Sequence, residues 1–561
     1  MCDSCSFRTV TKANAIAAIK YTIAANKNNF TADQERKSRV YIIAADQNNM
    51  EITLLPGEVW YGLASDEGTK MPLDISSDYR FDMQPAHTGN QYSPLLVSNK
   101  GRYIWGDDGY NTTVSGGVIT VTSKLAQPEL HEGYGSLRGA YLAAAQAHFP
   151  TDGVLPPEEF FSKPQYNTWI EFIYDQNQAG ILEYASTLVK NNMPRGILMI
   201  DDLWSNYYGK WDFDRYKFPD PKGMMDKLHE WGFKVMVWIC PFVSLDSIEY
   251  RDLSQKGAFV RSPDGSVRNV HWWNGISAVL DLSNPVDAAW IRERCRFLCD
   301  TYGVDGFKLD AGDAIYYRDD DKNYGNVTPN EQCELWAKLG LEFPYNEYRA
   351  CYKCAGRPLV QRLCDKSHSW TNHGINTLVP NMLAQGILGY AYGCPDMVGG
   401  GSYTDFLPGS RELDEELFVR YCSAATLMPM IQFSAAPWRV LDSKHYGCIL
   451  KLLELREKFL PEILRLVRES AKTGEPVVRY MEYVFPNSGF ERVTDQFMLG
   501  DDILVAPVTV QGATGREVIL PDGIWSKYSP DESDSELYTG GKTVWVDAAL
   551  DCLPVFVRKR D

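Results

Sequence analysis

Apolar and polar positions change rhythm twice along the chain. From about residue 40 to 160, short alternating runs such as "RVYIIAADQ", "MEITLLPG", "GRYIWGDDG" and "GGVITVTSK" are separated by turn residues. Period-two alternation punctuated at this spacing predicts strands with one face toward a core and one toward water, and so a β-sandwich. The Pro-containing stretch "FPTDGVLPPEEFFSKPQ" ends that texture. From about 166 onward, short apolar runs alternate with segments of helical period. Predicted strands are "TWIEFIYD", "GILMIDDLW", "KVMVWICP", "VDGFKLD", "PLVQRLCD", "GYAYGCPD" and "MPMIQFS". Predicted helices include "NQAGILEYASTLVKNN", "DPKGMMDKLHEWG", "NPVDAAWIRERCRFLCDTYG", "NHGINTLVPNMLAQGIL" and "ELDEELFVRYCSAATL". After the long helix "CILKLLELREKFLPEILRLVRESAKTG", alternation returns from about 475. The pattern predicts an α/β fold: a (β/α)8 TIM barrel over 161–470, an N-terminal β-sandwich over 1–160 and a small C-terminal β domain over 471–561. A doubly wound open sheet is the competing arrangement, disfavoured because no glycine-rich phosphate turn follows the first strand.

Composition narrows the function. At 561 residues the chain exceeds one ordinary core. A net charge of −17 without a basic stripe argues against nucleic acid and anionic membranes, and suits a neutral small molecule. No apolar run of about 18 residues predicts a membrane span, and no apolar leader is visible near Met1. Thirteen scattered cysteines read as reduced thiols in a cytoplasm. The pairs Cys2/Cys5 and Cys351/Cys354 have metal-ligand spacing, but buried thiols are the better reading because the pairs lie in unrelated segments. His271, His368 and His373 form no metal-binding motif, so no metal or organic cofactor is expected.

Candidate chemistry sits at strand ends, where barrel enzymes gather their catalytic groups. Asp201-Asp202 follow "ILMI", Asp310 follows "FKL", Asp365 follows "VQRLC" and Asp396 follows "AYGCP". One such aspartate is ordinarily a helix cap; the recurrence favours a shared site. Alternation places Lys308 and Asp310 on one strand face, with Phe307 and Leu309 on the other. Two carboxylates suffice for glycoside hydrolysis, one as nucleophile and one as proton donor, with mutual repulsion keeping the donor protonated. This argument reaches a carbohydrate-acting barrel and does not choose the pair.

Several of these segments resemble glycoside hydrolase family 31. "FKLDAGD" is similar to its nucleophile motif, with Asp313 three residues after Asp310. "RACYKCAGRPLVQRLCDKSHSW" resembles its arginine-to-acid/base segment, "YGCPDMVGG" its later Asp-x-x-Gly-Gly segment, and "FMLGDDILVAPV" and "LPDGIWSKY" its C-terminal β domain. "WWNGISAVLDLSNP" points to the branch holding the myogenesis-regulating glycosidase and bacterial α-galactosidases. The resemblance implies a retaining α-glycosidase with Asp310 as nucleophile and Asp365 as acid/base. It implies sugar contacts from Arg349, pocket walls from Trp238 and Trp273, and a supporting Asp396. "IDDLW" and "FKLD" are also similar to family 27 α-galactosidase motifs, which implies that Asp201, Asp202 and Lys308 grip the non-reducing end. Ala311-Gly312 and Cys240 depart from the α-glucosidase pattern, so galactose is the expected sugar. An α-glucosidase, α-xylosidase or N-acetyl-α-galactosaminidase, or a silent sugar-binding protein, remain the alternatives. The expected partner is an oligosaccharide or glycoside, and a second copy of the chain is a candidate for closing the pocket.

Overall fold

The computed structural model describes residues 48–560 apart from 86, 372, 408, 411 and 531–535. Eight parallel strands form its centre: β1 (Gln165–Asn167), β2 (Ile197–Ile200), β3 (Lys234–Ile239), β4 (Gly306–Leu309), β5 (Tyr345–Tyr348), β6 (Val360–Arg362), β7 (Gly393–Cys394) and β8 (Gln432–Phe433). They lie in the order β7-β6-β5-β4-β3-β2-β1-β8, and a parallel bridge between Met397 and Gln432 joins the two ends into a barrel. Helices fill most of the connections, and their starts are written in the sequence. Asp220-Pro221, Asn284-Pro285 and Thr328-Pro329 each place a capping side chain before a proline at the first helical position. The cap accepts a backbone N–H the helix leaves unpaired, and proline has none to lose there.

Three elements differ from the pattern reading. "TWIEFIYD" is not the first strand. That strand is the three-residue β1 just upstream, while Trp169–Phe172 forms a helical turn whose N-terminal backbone is drawn in by Asn167 Oδ1 and Ser434 Oγ. The all-β reading of 40–160 misses the helix Leu137–His148, capped by Ser136 and rich in alanine. The crossover after β5 contains no helix. There Cys351–Tyr352 instead adds a strand to the N-terminal sheet, parallel to Gln91–Tyr92. A four-residue strand with no helix behind it, "YNEY", escapes strand–helix periodicity.

The N-terminal region holds two sheets. One contains Asn48–Thr53, Val118–Ser123, Asn111–Ser115 and Tyr79–Asp82; the other is built on Gln91–Ser98. The predicted run "RVYIIAADQ" and the Cys2/Cys5 pair lie outside the described residues. Cys351 and Cys354 are free thiols. Among the described residues the one side-chain group with metal-holding spacing is Glu415, Asp442 and His445, all partners in the cap of the helix Ser443–Thr473. The C-terminal region forms a six-stranded sheet and a two-stranded antiparallel sheet around its own small core of Met481, Met498, Trp525 and Phe556. No helix among the described residues is long and apolar enough to cross a membrane.

Arg456, on the helix Ser443–Thr473, locks the barrel's last strand in place. Its fully buried guanidinium donates to the carbonyls of Thr426, Met428, Pro429 and Phe161 at 2.7–2.8 Å. Burial lowers its pKa to about 10, so it stays charged at neutral pH. Arg456→Met leaves four carbonyls without their donor. We expect a loss of about 3–5 kcal/mol, visible as a marked fall in thermal midpoint; an unchanged midpoint would refute the clamp.

Candidate active site

The strand-end carboxylates converge at the C-terminal mouth of the barrel. Parallel register sets Trp238 of β3 beside Lys308 of β4, and Lys308 beside Glu347 of β5, so one layer of polar side chains fills the interior below Asp310. Asp310 follows β4 and is almost wholly buried. Its Oδ2 accepts from Trp238 Nε1 at 2.9 Å and lies 3.9 Å from Lys308 Nζ. Its Oδ1 accepts from Arg349 Nε at 2.8 Å and from the Ala311 N–H at 2.8 Å. Burial by itself would raise the pKa of this carboxyl, but Arg349 and Lys308 outweigh burial and hold it well below the usual carboxylate range.

Backbone strain follows the acids. Leu203, Ala311 and Asp396 have φ of 70°, 54° and 132°, a region that side-chain-bearing residues avoid. At Ala311 and Leu203 the twist turns each N–H back onto the preceding aspartate, at 2.8 Å and 2.7 Å. Strain stored at three strand ends marks a site whose geometry the surrounding packing enforces.

Asp201 and Asp202 divide their work. Asp201 Oδ2 takes Lys308 Nζ at 2.6 Å and Oδ1 takes the Asp202 N–H at 2.8 Å, so its charge is matched inside the protein. Burial opposes the charge on Lys308, yet Asp201 raises its pKa. Asp202 Oδ2 accepts from Asn274 Nδ2 at 2.7 Å and from the Tyr208 hydroxyl at 3.1 Å. Burial, then the neighbouring Asp201 charge, pushes the Asp202 carboxyl up to about 7. Cys240, at the end of β3, is a buried thiol raised far above its usual value by burial and then by Asp202.

Arg349 bridges the Asp310 loop to the segment just before the N-terminal strand Gln91–Ser98. Its Nη1 and Nη2 hold Asp313 at 2.9 Å and 2.7 Å, and Nη1 also donates to the Gly89 carbonyl at 2.6 Å. Trp273, half exposed, stacks over its guanidinium at 5.5 Å. Asp365 is far more open, its side chain 42% exposed against 10% for Asp310. Arg362 Nη1 contacts its Oδ1 at 2.9 Å and Asp396 Oδ1 at 2.7 Å. The other oxygen of Asp396 takes the N–H groups of Lys366 and Gly401 at 2.7 Å and 2.9 Å. With both oxygens engaged by the protein, Asp396 anchors the loops around Asp365. In the structure the charge that touches Asp365 is the Arg362 cation, not another carboxylate.

Sequence reasoning overlooked five groups here. Tyr208 and Asn274 orient Asp202, and Asn274 sits in the two-residue turn Trp273-Asn274 of the hairpin Asn269–Trp272/Gly275–Val279, where the dipeptide Asn274-Gly275 signals a chain reversal. Arg362 lies within a segment already singled out. Gly89 and Asn90 come from the N-terminal region; Asn90 Oδ1 accepts from the Cys364 N–H at 2.7 Å, next to Asp365. Only the Asn274 turn carries a local signal.

Comparison with known proteins agrees with this geometry. Residues 160–466 match the family described as the glycosyl hydrolases family 31 TIM-barrel domain, and residues 474–560 match its C-terminal domain. The myogenesis-regulating glycosidase of Mus musculus is 32% identical over 68% of this chain and 54% of its own length. Alpha-glucosidase 2 of Bacillus thermoamyloliquefaciens is 25% identical over 69% of this chain and 51% of its own. The chain spans about half the length of these curated relatives. A Flavobacterium johnsoniae GH31 dextranase, complexed with glucose, superposes with a TM-score of 0.78 over 92% of this chain and 67% of that one, at 21% identity.

The raised Asp202 pKa makes a stability prediction. The carboxyl ionises near 3.8 in a free chain and near 7 when folded, so the folded state binds the extra proton between those values. Above pH 7 both states are ionised and the fold carries the full penalty; toward pH 5 the penalty shrinks. Asp202→Asn should therefore raise the thermal midpoint more at pH 8 than at pH 5. An equal or reversed difference would contradict the buried-charge reading.

Proposed function

This chain belongs to glycosyl hydrolase family 31, and within it we propose a retaining α-galactosidase that releases terminal α-linked galactose through a covalent glycosyl-enzyme. The carrying observation is the ionised, immobilised Asp310 after β4, with the more open Asp365 after β6, both carboxyls acting electrostatically on the buried Arg362. In the first step an Asp310 oxygen attacks the anomeric carbon, the glycosidic C–O bond breaks, and Asp365 gives its proton to the departing oxygen. In the second, Asp365 takes a proton from water, whose oxygen attacks the same carbon and displaces Asp310.

Galactose is favoured by two features. Asp202, poised near neutrality and fixed by Tyr208 and Asn274, sits with the Lys308–Asp201 pair where the sugar's far hydroxyls would lie. A site built on such groups rejects the wrong epimer, because that epimer leaves them unpaired. Cys240 offers no charge at a position where many α-glucosidases carry an aspartate. The family includes an α-glucosidase and an α-xylosidase among the relatives of this chain, so the sugar is the finer part of the proposal.

A panel of p-nitrophenyl α-glycosides tests it. We expect the galactoside to be cleaved best, the first-formed sugar to be the α anomer by NMR, and Asp310→Asn to lose about 10³-fold or more in kcat while still binding galactose. A better glucoside, xyloside or N-acetylgalactosaminide would overturn the sugar assignment. An initial β anomer would overturn the mechanism.

A further inference from the structure

One glutamate in the barrel interior takes no part in the two chemical steps. Glu347, on β5, is fully buried and stands beside Lys308 of β4. Its Oε2 accepts from Gln432 Nε2 of β8 at 2.8 Å, and the same nitrogen donates to Gln165 Oε1 of β1 at 2.7 Å. Its Oε1 faces Arg362 Nε of β6 at 3.5 Å. Burial raises the pKa of this carboxyl, against the pull of Arg362 and then of Lys308. An apolar side chain in the same place would avoid the cost of taking a carboxyl out of water.

What that cost secures is visible at Arg362, three residues before Asp365 and equally buried. Its guanidinium works at two edges. The Nη1 corner meets Asp365 Oδ1 at 2.9 Å, Asp396 Oδ1 at 2.7 Å and the Leu363 carbonyl at 3.0 Å. The Nε edge is turned the other way, toward Glu347. Among the described residues, Arg362 supplies the hydrogen bond that Asp365 receives. Because the guanidinium is planar and rigid, fixing its Nε edge also fixes where Nη1 points.

The contact between Glu347 and Arg362 has an unusual feature. Arg362 Nε and Glu347 Oε1 are both buried, and neither has a hydrogen bond among the described residues. They face each other within ion-pair reach, and their separation exceeds a good hydrogen bond by about half an ångström. Each is the group best able to satisfy the other. Gln432 meanwhile pins the second Glu347 oxygen, so the carboxylate cannot turn away from Arg362 without losing a bond.

We propose that Glu347 is a positioning residue for proton transfer: by holding the Nε edge of Arg362 from inside the barrel, it aims Nη1 at Asp365 and keeps that carboxyl in place to protonate the departing oxygen. The inference rests on the reading of Asp365 as acid/base given above. It is tested on the full chain by comparing melibiose, an α-galactosyl disaccharide, with α-galactosyl fluoride. The sugar leaving group needs a proton and fluoride does not, while both substrates need Asp310. Asp365→Ala is the control and should lower kcat/KM for the disaccharide far more than for the fluoride; equal losses there would overturn the acid/base reading itself. Glu347→Gln, which keeps the volume and removes the charge, should lower kcat/KM for the disaccharide about tenfold more than for the fluoride, through kcat with KM little changed. In an Arg362→Met background the same substitution should add no further selectivity, because the group it acts through is gone. With the control selective, equal losses from Glu347→Gln on both substrates, or none on the disaccharide, or a full extra loss in the Arg362→Met background, would overturn the positioning role. Should Glu347→Gln not fold, Gln432→Leu, which releases the other oxygen of Glu347, decides it: a loss confined to the disaccharide supports the role, and equal losses or none overturn it. If glucosides or xylosides are cleaved and galactosides are not, the sugar assignment fails, and the matching disaccharide and fluoride make the same comparison. A chain that cleaves no glycoside overturns both readings.

Discussion

A carboxylate without water must be balanced by fixed charge, and around Asp310 that balance organises the whole barrel mouth. Arg349 and Lys308 supply the cations, Trp238 and the Ala311 N–H supply oriented donors, and together they keep a buried acid ionised. Each of these groups needs its own support in turn. Lys308 is matched by Asp201, and Arg349 by Asp313 and by the Gly89 carbonyl just before the N-terminal strand Gln91–Ser98. Removing any of them would expose an uncompensated charge in the interior, which is far costlier than losing a surface pair.

That requirement explains why the N-terminal sheet cannot be treated as an appendage. The crossover after β5 gives up its helix so that Cys351–Tyr352 can join that sheet, and Arg349 is thereby held from both sides. Gln91, the first residue of the strand Gln91–Ser98, and Asn90 just before it bind the backbone at Arg349, Arg362 and Cys364. The two protein groups expected to face the sugar's reacting carbon are therefore positioned across a junction between regions far apart in sequence.

Much of the architecture is legible in local pattern. β2, β3 and β4 announce themselves by buried apolar runs ending in acids or in Cys240, and the prolines behind capping residues mark three helix starts. What local pattern hides has physical causes. β1, β7 and β8 have two or three residues each, too short for a period to register. Trp169–Phe172 alternates like a strand but is pulled into a turn by Asn167 and Ser434. Asp310, Asp365 and their neighbours were visible as strand-end acids, and motif likeness chose among them. Gly89, Asn90 and Tyr208 could not be seen, because their roles come from contacts made only when distant segments meet.

The central claim is that Asp310 makes the covalent bond to the sugar. Incubation with a 2-deoxy-2-fluoro-α-galactosyl reagent, or the cognate sugar if another is preferred, followed by peptide mass spectrometry, tests it most directly. The account predicts a single fluoroglycosyl adduct on the peptide "VDGFKLDAGD", localised to Asp310. An adduct on Asp365 or Asp202, with Asp310 unmodified, would contradict it.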